Sequence, residues 1–302
     1  MEKSLQLSQL LDPYDPEAVL QETLKLGTAI SSDFNRDYYT TTFRDLQRLF
    51  QGDYPGYRAC NTRYHDFTHT SDVTLAMTRL MHGAFLAGIK FTGRDVQMGF
   101  TAALMHDTGY IQADDDLDGT GAKYTLTHIG RSVDFLRAYS QNNIVCKDAN
   151  MKDFSDILYC TGLSVKIGEL PFSSPMMAML GKMLGTADLS GQMADRCYLE
   201  KLRFLYREFL EAGLNQFANE LDMFEKTIDF YALTQSRFAA EFSGVNGYMI
   251  HHFRFRWGID RDLYQENIQH HIDYLRMILP LYRHGFAKGL RRRQPSGAPL
   301  SR

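Results

Sequence analysis

A chain of 302 residues can bury roughly 75% of the surface its unfolded form exposes, so it needs no disulfide or metal staple to fold. Hydrophobic residues at 44% and charged residues at 23% are globular proportions, which argues against overall disorder. A net charge of -3 and a pI near 6.4 argue against an extended nucleic-acid surface, no run approaches the ~18 apolar residues of a membrane span, and the N-terminus lacks a signal-peptide core.

A cytoplasmic protein with no membrane span is therefore expected. Cys60, Cys146, Cys160 and Cys197 are widely spaced and form no CxxC pair, so they read as reduced core thiols rather than a zinc knuckle or disulfide framework.

In chain order, Asp15, Pro16 and Glu17 give an N-cap acceptor, a residue with helical φ and an acid at the positive end of a helix running to about Ala29. A second helix is predicted from Ser31 to Phe50, stopped by Gly52 and Pro55. A loop from Gly56 to Asp66 then delivers Tyr64 and His65 to a helix from about His69 to Ala87, where Val73, Ala76, Met77 and Leu80 recur at helical spacing.

Thr92 with Asp95 imitates a capping box at the head of the next helix. That helix buries Val96, Phe100, Ala103 and Leu104, presents His106 and Asp107 at its end, and has Gly109 as its expected C-cap. The loop after it carries Asp114, Asp116, Asp118 and Gly119 like the start of an EF-hand. Its twelfth position is Thr125 instead of a bidentate acid, so a solvated acidic loop is the expectation.

Further helices are predicted over Tyr124–Tyr139, Asp148–Cys160, a segment capped by Ser174 and Pro175 that carries Asp188 near its end, Asp195–Glu211, Asn219–Phe242 and Arg261–Tyr282. No period-two strand and no internal repeat is evident. The expected fold is all-α: one multi-helix domain over residues 1–287, with catalytic motifs within 60–245 and a basic tail over 288–302.

His69, His106, Asp107 and Asp188 form a two-His, two-carboxylate set whose mixed nitrogen and oxygen donors suit Zn, Fe, Mn or Mg, unlike the thiolates of structural zinc. His65 precedes His69 by four residues and would share its face if the intervening turn were helical. Asp72, one turn beyond His69, reads either as a partner orienting that imidazole or as a surface or capping residue.

YHDFTHTSDV, ALMHD and TADLS, in this order, resemble the HD-domain superfamily, and most closely the catalytic domain of cyclic-nucleotide phosphodiesterases. The resemblance implies one or two divalent ions, with His69, His106, Asp107 and Asp188 holding the first and Asp107 bridging to a second. It also implies His65 as the general acid that protonates the leaving oxygen. Gln235 and Phe238 resemble the Gln and Phe with which these enzymes hold a purine; equally, Gln235 reads as an amide on an apolar stripe bonded to neighbouring backbone.

The chain departs from the family at Asp66, where Asn is usual, and at Tyr110 and Ile111, where a second His is usual. His128 resembles an extra His of other HD branches and leaves three readings open: a second-metal ligand, a phosphate contact or a packed core residue. Lys123 and Arg131 flank it and are further candidates for phosphate.

The implied activity is hydrolysis of a small-molecule phosphoester, such as a cyclic or other nucleotide, by metal-activated water. The alternatives are a di-iron HD oxygenase and a non-catalytic metal- or nucleotide-binding sensor.

Overall fold

The computed structural model describes residues 5–142, 151–281 and 290. Cys146, the expected domain boundary at 287 and all of the basic tail except Leu290 lie outside them. Among the described residues every regular element is helical, apart from a lone antiparallel bridge between Tyr57 and Ala113.

The helices are α1 (Leu7–Leu10), α2 (Pro16–Ile30), α3 (Arg36–Gln51), α4 (Phe67–Leu86), α5 (Gly93–Met105), α6 (His128–Asn142), α7 (Met151–Tyr159), α8 (Pro175–Ala194), α9 (Tyr198–Glu211), α10 (Glu220–Ala240), α11 (Met249–Trp257) and α12 (Leu263–Ile278). Their starts follow local chemistry. Asp15 accepts from the Glu17 and Ala18 amides at the head of α2, Thr92 and Asp95 complete a capping box on α5, and Ser174 caps α8 with Pro175 at its first position.

Helices α4 and α8 form the centre, packed against each other and both against α5. Their many small residues allow close approach, and both are buried over most of their length. Two buried hydroxyls on α4 are satisfied within the helix: Ser71 and Thr78 donate to the carbonyls of Phe67 and Thr74. At Gly83 a Cβ would stand 1.9 Å from the Tyr248 carbonyl oxygen, so only glycine admits the chain that leads into α11.

Convergence of α4, α5 and α8 positions the site. The first turn of α4 carries His69, α5 ends immediately before His106 and Asp107, and the last third of α8 carries Asp188. Gly109 is not the left-handed C-cap expected from the sequence, since α5 runs out through His106 in right-handed conformation into a short 3-10 turn over Thr108–Tyr110. Its role is close approach: a Cβ there would lie 1.9 Å from the His128 carbonyl oxygen. Ser132 ties the same crossing, accepting from the Gly109 amide and donating to the His106 carbonyl.

Candidate metal centre

Nδ1 of His106 lies 2.8 Å from the Ala103 carbonyl oxygen. Because that oxygen can only accept, Nδ1 carries the proton and Nε2 presents a lone pair inward. Nε2 of His106 lies 3.3 Å from Nε2 of His69 and 3.2 Å from Oδ2 of Asp107. His69 Nε2 is 3.3 Å from that same oxygen and 3.3 Å from Oδ1 of Asp188, which is 3.8 Å from His106 Nε2.

These separations suit donors around one ion, since two ligands each about 2.1 Å from a tetrahedral cation stand about 3.4 Å apart. His69, His106 and Asp107 are all buried, and Asp107 Oδ2 makes no hydrogen bond although it is out of contact with solvent. A buried carboxylate oxygen without a partner is costly, and a cation between it and the two imidazoles would remove that cost. The three residues could hold a metal ion, and Asp188 adds a fourth donor beside both imidazoles.

Electrostatics point the same way. Burial alone would favour neutral His69, but Asp107 and Asp188 outweigh it and raise the imidazole to about 10. Burial likewise opposes the Asp107 charge, yet His106 and His69 hold its carboxyl well below the usual range. The cluster thus keeps its carboxylate ionised and attracts positive charge, which a proton or a metal can supply.

The other oxygen of Asp107 faces elsewhere. Oδ1 lies 3.8 Å from His128 Nε2, and His128 Nδ1 sits 2.6 Å from the Thr125 carbonyl oxygen, which leaves Nε2 as the acceptor. Burial, the largest influence, lowers the His128 pKa. Of the three readings left open for His128, the packed-core one does not describe its position, because it lines the cavity in front of the cluster.

His65 is held separately. It lies just before α4, so the four-residue spacing does not place it on the same helix as His69; their ring centroids are 5.8 Å apart and nearly perpendicular. Glu208 on α9 accepts from His65 Nδ1 at 2.6 Å through Oε2, and from the Arg63 and Tyr64 amides at 2.7 Å through Oε1. The ring of Tyr110 lies stacked between His65, at 4.2 Å, and His128, at 4.7 Å. Burial and the Asp107 charge push its phenol pKa well up, so it is a neutral plate between two imidazoles.

Asp66 serves as the N-cap of α4, accepting from the His69 amide at 2.9 Å. Asp and Asn cap helices about equally well, so the capping role does not require one over the other. Asp72 borders a different, small cavity beside Tyr14 and Asp195; burial, then Asp195, pushes its carboxyl well up.

Three other expectations have different outcomes. Lys123 pairs with Asp116, and Arg131 donates to the Gly109 and Ile111 carbonyls over the Tyr124 ring; neither lines the cavity, so both act in structure. Asp116, engaged by Lys123 and Tyr124, is likewise unavailable for a calcium loop. Gln235 donates to Gln265 on α12 at 3.0 Å, and Phe238 is buried against Phe242, so neither reaches the cavity.

The reasons are helical phase for Gln235 and axial distance for Phe238. The cavity-facing residues of α10 are Met223, Lys226, Thr227 and Phe230. Gln235 is turned about 140° from Phe230, and Phe238 lies about 16 Å farther along the axis than Thr227.

Glu208 is the participant missed by the sequence reading. Its signal was an acid directly before Phe209 on the buried stripe of α9, where an unpaired carboxylate would be costly.

No protein-family model matches the chain, and no curated protein or solved structure matches it either.

Proposed function

We propose that the chain is a metal-dependent phosphohydrolase of the HD type that cleaves a phosphoester by attack of water on phosphorus. The observation that carries this reading is that the His69, Asp107 and Asp188 side chains and the independently anchored His65 line one cavity of about 460 Å³. Residue order, donor types and the sharing of Asp107 between His106 and His128 all support the resemblance noted in the sequence.

A divalent ion bound there supplies a Lewis acid and a source of hydroxide at neutral pH. His69, His106, Asp107 and Asp188 would hold it, and His128 with Oδ1 of Asp107 would contribute to a second. Their burial keeps the charges in a low-dielectric site, where phosphoryl oxygens are stabilised more strongly than in water.

As the oxygen of water bonds to phosphorus, with one of its protons released to solvent, and the P–O ester bond breaks, the departing oxygen needs a proton. His65 gives it from Nε2, while Glu208 retains the Nδ1 proton and fixes the ring plane. Tyr110, stacked on the same ring, limits rotation and excludes water.

The test is turnover of diphenyl phosphate, whose phenolate departs poorly without a proton, by protein loaded with manganese, iron or zinc, alongside chelator-treated protein and His65→Ala. Hydrolysis is expected to require metal and to fall by about 10²- to 10⁴-fold in His65→Ala with metal content unchanged. Metal-loaded protein inert toward every phosphoester would overturn the reading in favour of an oxygenase or a sensor.

A further inference from the structure

The cavity has two unlike halves. Beyond the imidazoles and carboxylates its wall is formed by Leu202, Leu205 and Phe209 of α9, by Leu214 and Phe217 of the following loop, and by Phe230 of α10. The Phe209 and Phe217 rings lie parallel, 6.0 Å apart.

Several polar groups in this half are already engaged, while the exposed Gln216 amide stands at its rim. The Thr227 hydroxyl donates to the Met223 backbone carbonyl, Lys226 donates to the Gln216 backbone carbonyl and pairs with Asp222 at 2.8 Å, and the Gln192 side-chain Oε1 accepts from the Tyr64 hydroxyl. Gln235, which the resemblance casts as the reader of a base, bonds to Gln265 outside the cavity. A purine placed here would bury edge donors and acceptors at about 1–3 kcal/mol for each left unpaired.

Charge narrows the choice further. Among the described residues lining the cavity the only lysine or arginine is Lys226, and Asp222 already neutralises it. Chains of two or three phosphates are normally held by several cationic side chains in addition to metal. At the mouth, Leu126 and Leu163 are 71% and 60% exposed, large apolar side chains that a polar ligand would leave in water.

Resting on the phosphohydrolase reading, the geometry points to a substrate with a single phosphoryl group esterified to an uncharged, predominantly hydrocarbon body, in place of a nucleotide. The phosphoryl group meets the His and Asp set, and the body lies between α9, the 214–217 loop and α10. Selection is by burial, with each enclosed methylene contributing about fourfold in kcat/KM.

The experiment uses the full chain loaded with manganese and compares ethyl 4-nitrophenyl phosphate, hexyl 4-nitrophenyl phosphate, adenosine 3′,5′-cyclic monophosphate and ATP. In parallel, methylphosphonate and hexylphosphonate are titrated calorimetrically. The hexyl ester is expected to exceed the ethyl ester by at least about tenfold in kcat/KM and to exceed both nucleotides. Hexylphosphonate should bind at least about tenfold tighter than methylphosphonate, and Phe217→Ala and Leu205→Asn should each shrink that preference.

Equal turnover of the two esters, or preference for either nucleotide, would overturn the assignment while leaving phosphohydrolysis standing. If no ester is hydrolysed yet hexylphosphonate still binds tighter, phosphohydrolysis fails and the apolar-body assignment stands. Equal phosphonate affinities with no turnover would remove both.

Discussion

Two groups of buried histidines in this molecule meet opposite fates. His69 and His106 lie 3.3 Å apart and His82 and His252 lie 3.1 Å apart, in each case nitrogen to nitrogen. The first pair is bordered by Asp107 and Asp188, which raise His69 to about 10. The second is bordered by guanidinium groups: burial, and then Arg256 against the opposing charge of Glu22, bring His82 down to about 4, while burial and Arg79 push His252 well down.

The lesson is that close imidazoles do not by themselves make a cation site. Carboxylates decide, by adding both donors and negative potential. The His82–His252 pair repels a cation and is a packed, neutral element of the core between α4 and α11, with aromatic neighbours Phe253 and Trp257.

The largest expected effect separates the two groups outright. Asp107→Ala should remove bound metal and lower turnover by roughly three orders of magnitude or more, about 4 kcal/mol of transition-state stabilisation. His252→Leu should leave metal content as in the wild type. Equal metal loss in the two variants, measured by elemental analysis after dialysis, would erase the distinction.

The next effect is on stability and carries the opposite pH signature. His82 titrates near 4 when folded and near 6.5 when unfolded, so the unfolded chain binds more protons between those values. Stability from this group is complete above about pH 6.5 and is lost as pH falls toward 4, by up to roughly 3 kcal/mol. Urea unfolding of metal-free protein at pH 7 and pH 4.5 should show a smaller pH difference for His82→Leu than for the wild type; an unchanged difference would place the acid sensitivity elsewhere.

Glu208→Gln should act on the metal-binding side without touching metal. Losing the charged partner of His65 is expected to lower kcat by roughly 10- to 100-fold, with metal content retained and the pH profile of kcat shifted. Loss of metal in this variant would mean that Glu208 supports the centre as a whole instead of orienting one ring. Smallest of all is Gln235→Ala: a half-buried amide pair on the far side of α10 predicts less than about 1 kcal/mol of stability and no change in phosphonate affinity.

Much of the fold could be read from local signals. The Asp15–Pro16, Thr92–Asp95 and Ser174–Pro175 starts depend on neighbours in sequence, and all three cap their helices. The short α1 and α11 were not foreseen. α11 lacks a side-chain N-cap and follows a turn entered through left-handed Gly244, so its start carries no local cue.

The grouping of His69, His106, Asp107 and Asp188 came from donor types and from the resemblance of YHDFTHTSDV, ALMHD and TADLS to HD-domain motifs, while the helix pattern only located each residue along the chain. Glu208 was not legible, since its partners at 63–65 are some 143–145 residues away and only tertiary packing joins them. The Gln235 and Phe238 expectation went astray through phase for the first and axial distance for the second, because an amphipathic stripe shows that a helix is buried without showing which stretch of it faces a cavity.

The central claim is that two imidazoles framed by two carboxylates form a cation site. Its most direct measurement is the metal content of purified wild-type protein after dialysis against buffer without chelator, set beside Asp188→Ala. At least one equivalent of a divalent metal in the wild type, and substantially less in the variant, is the expected result. Wild-type protein that carries no metal, and takes up none when titrated with manganese, iron or zinc, would contradict it.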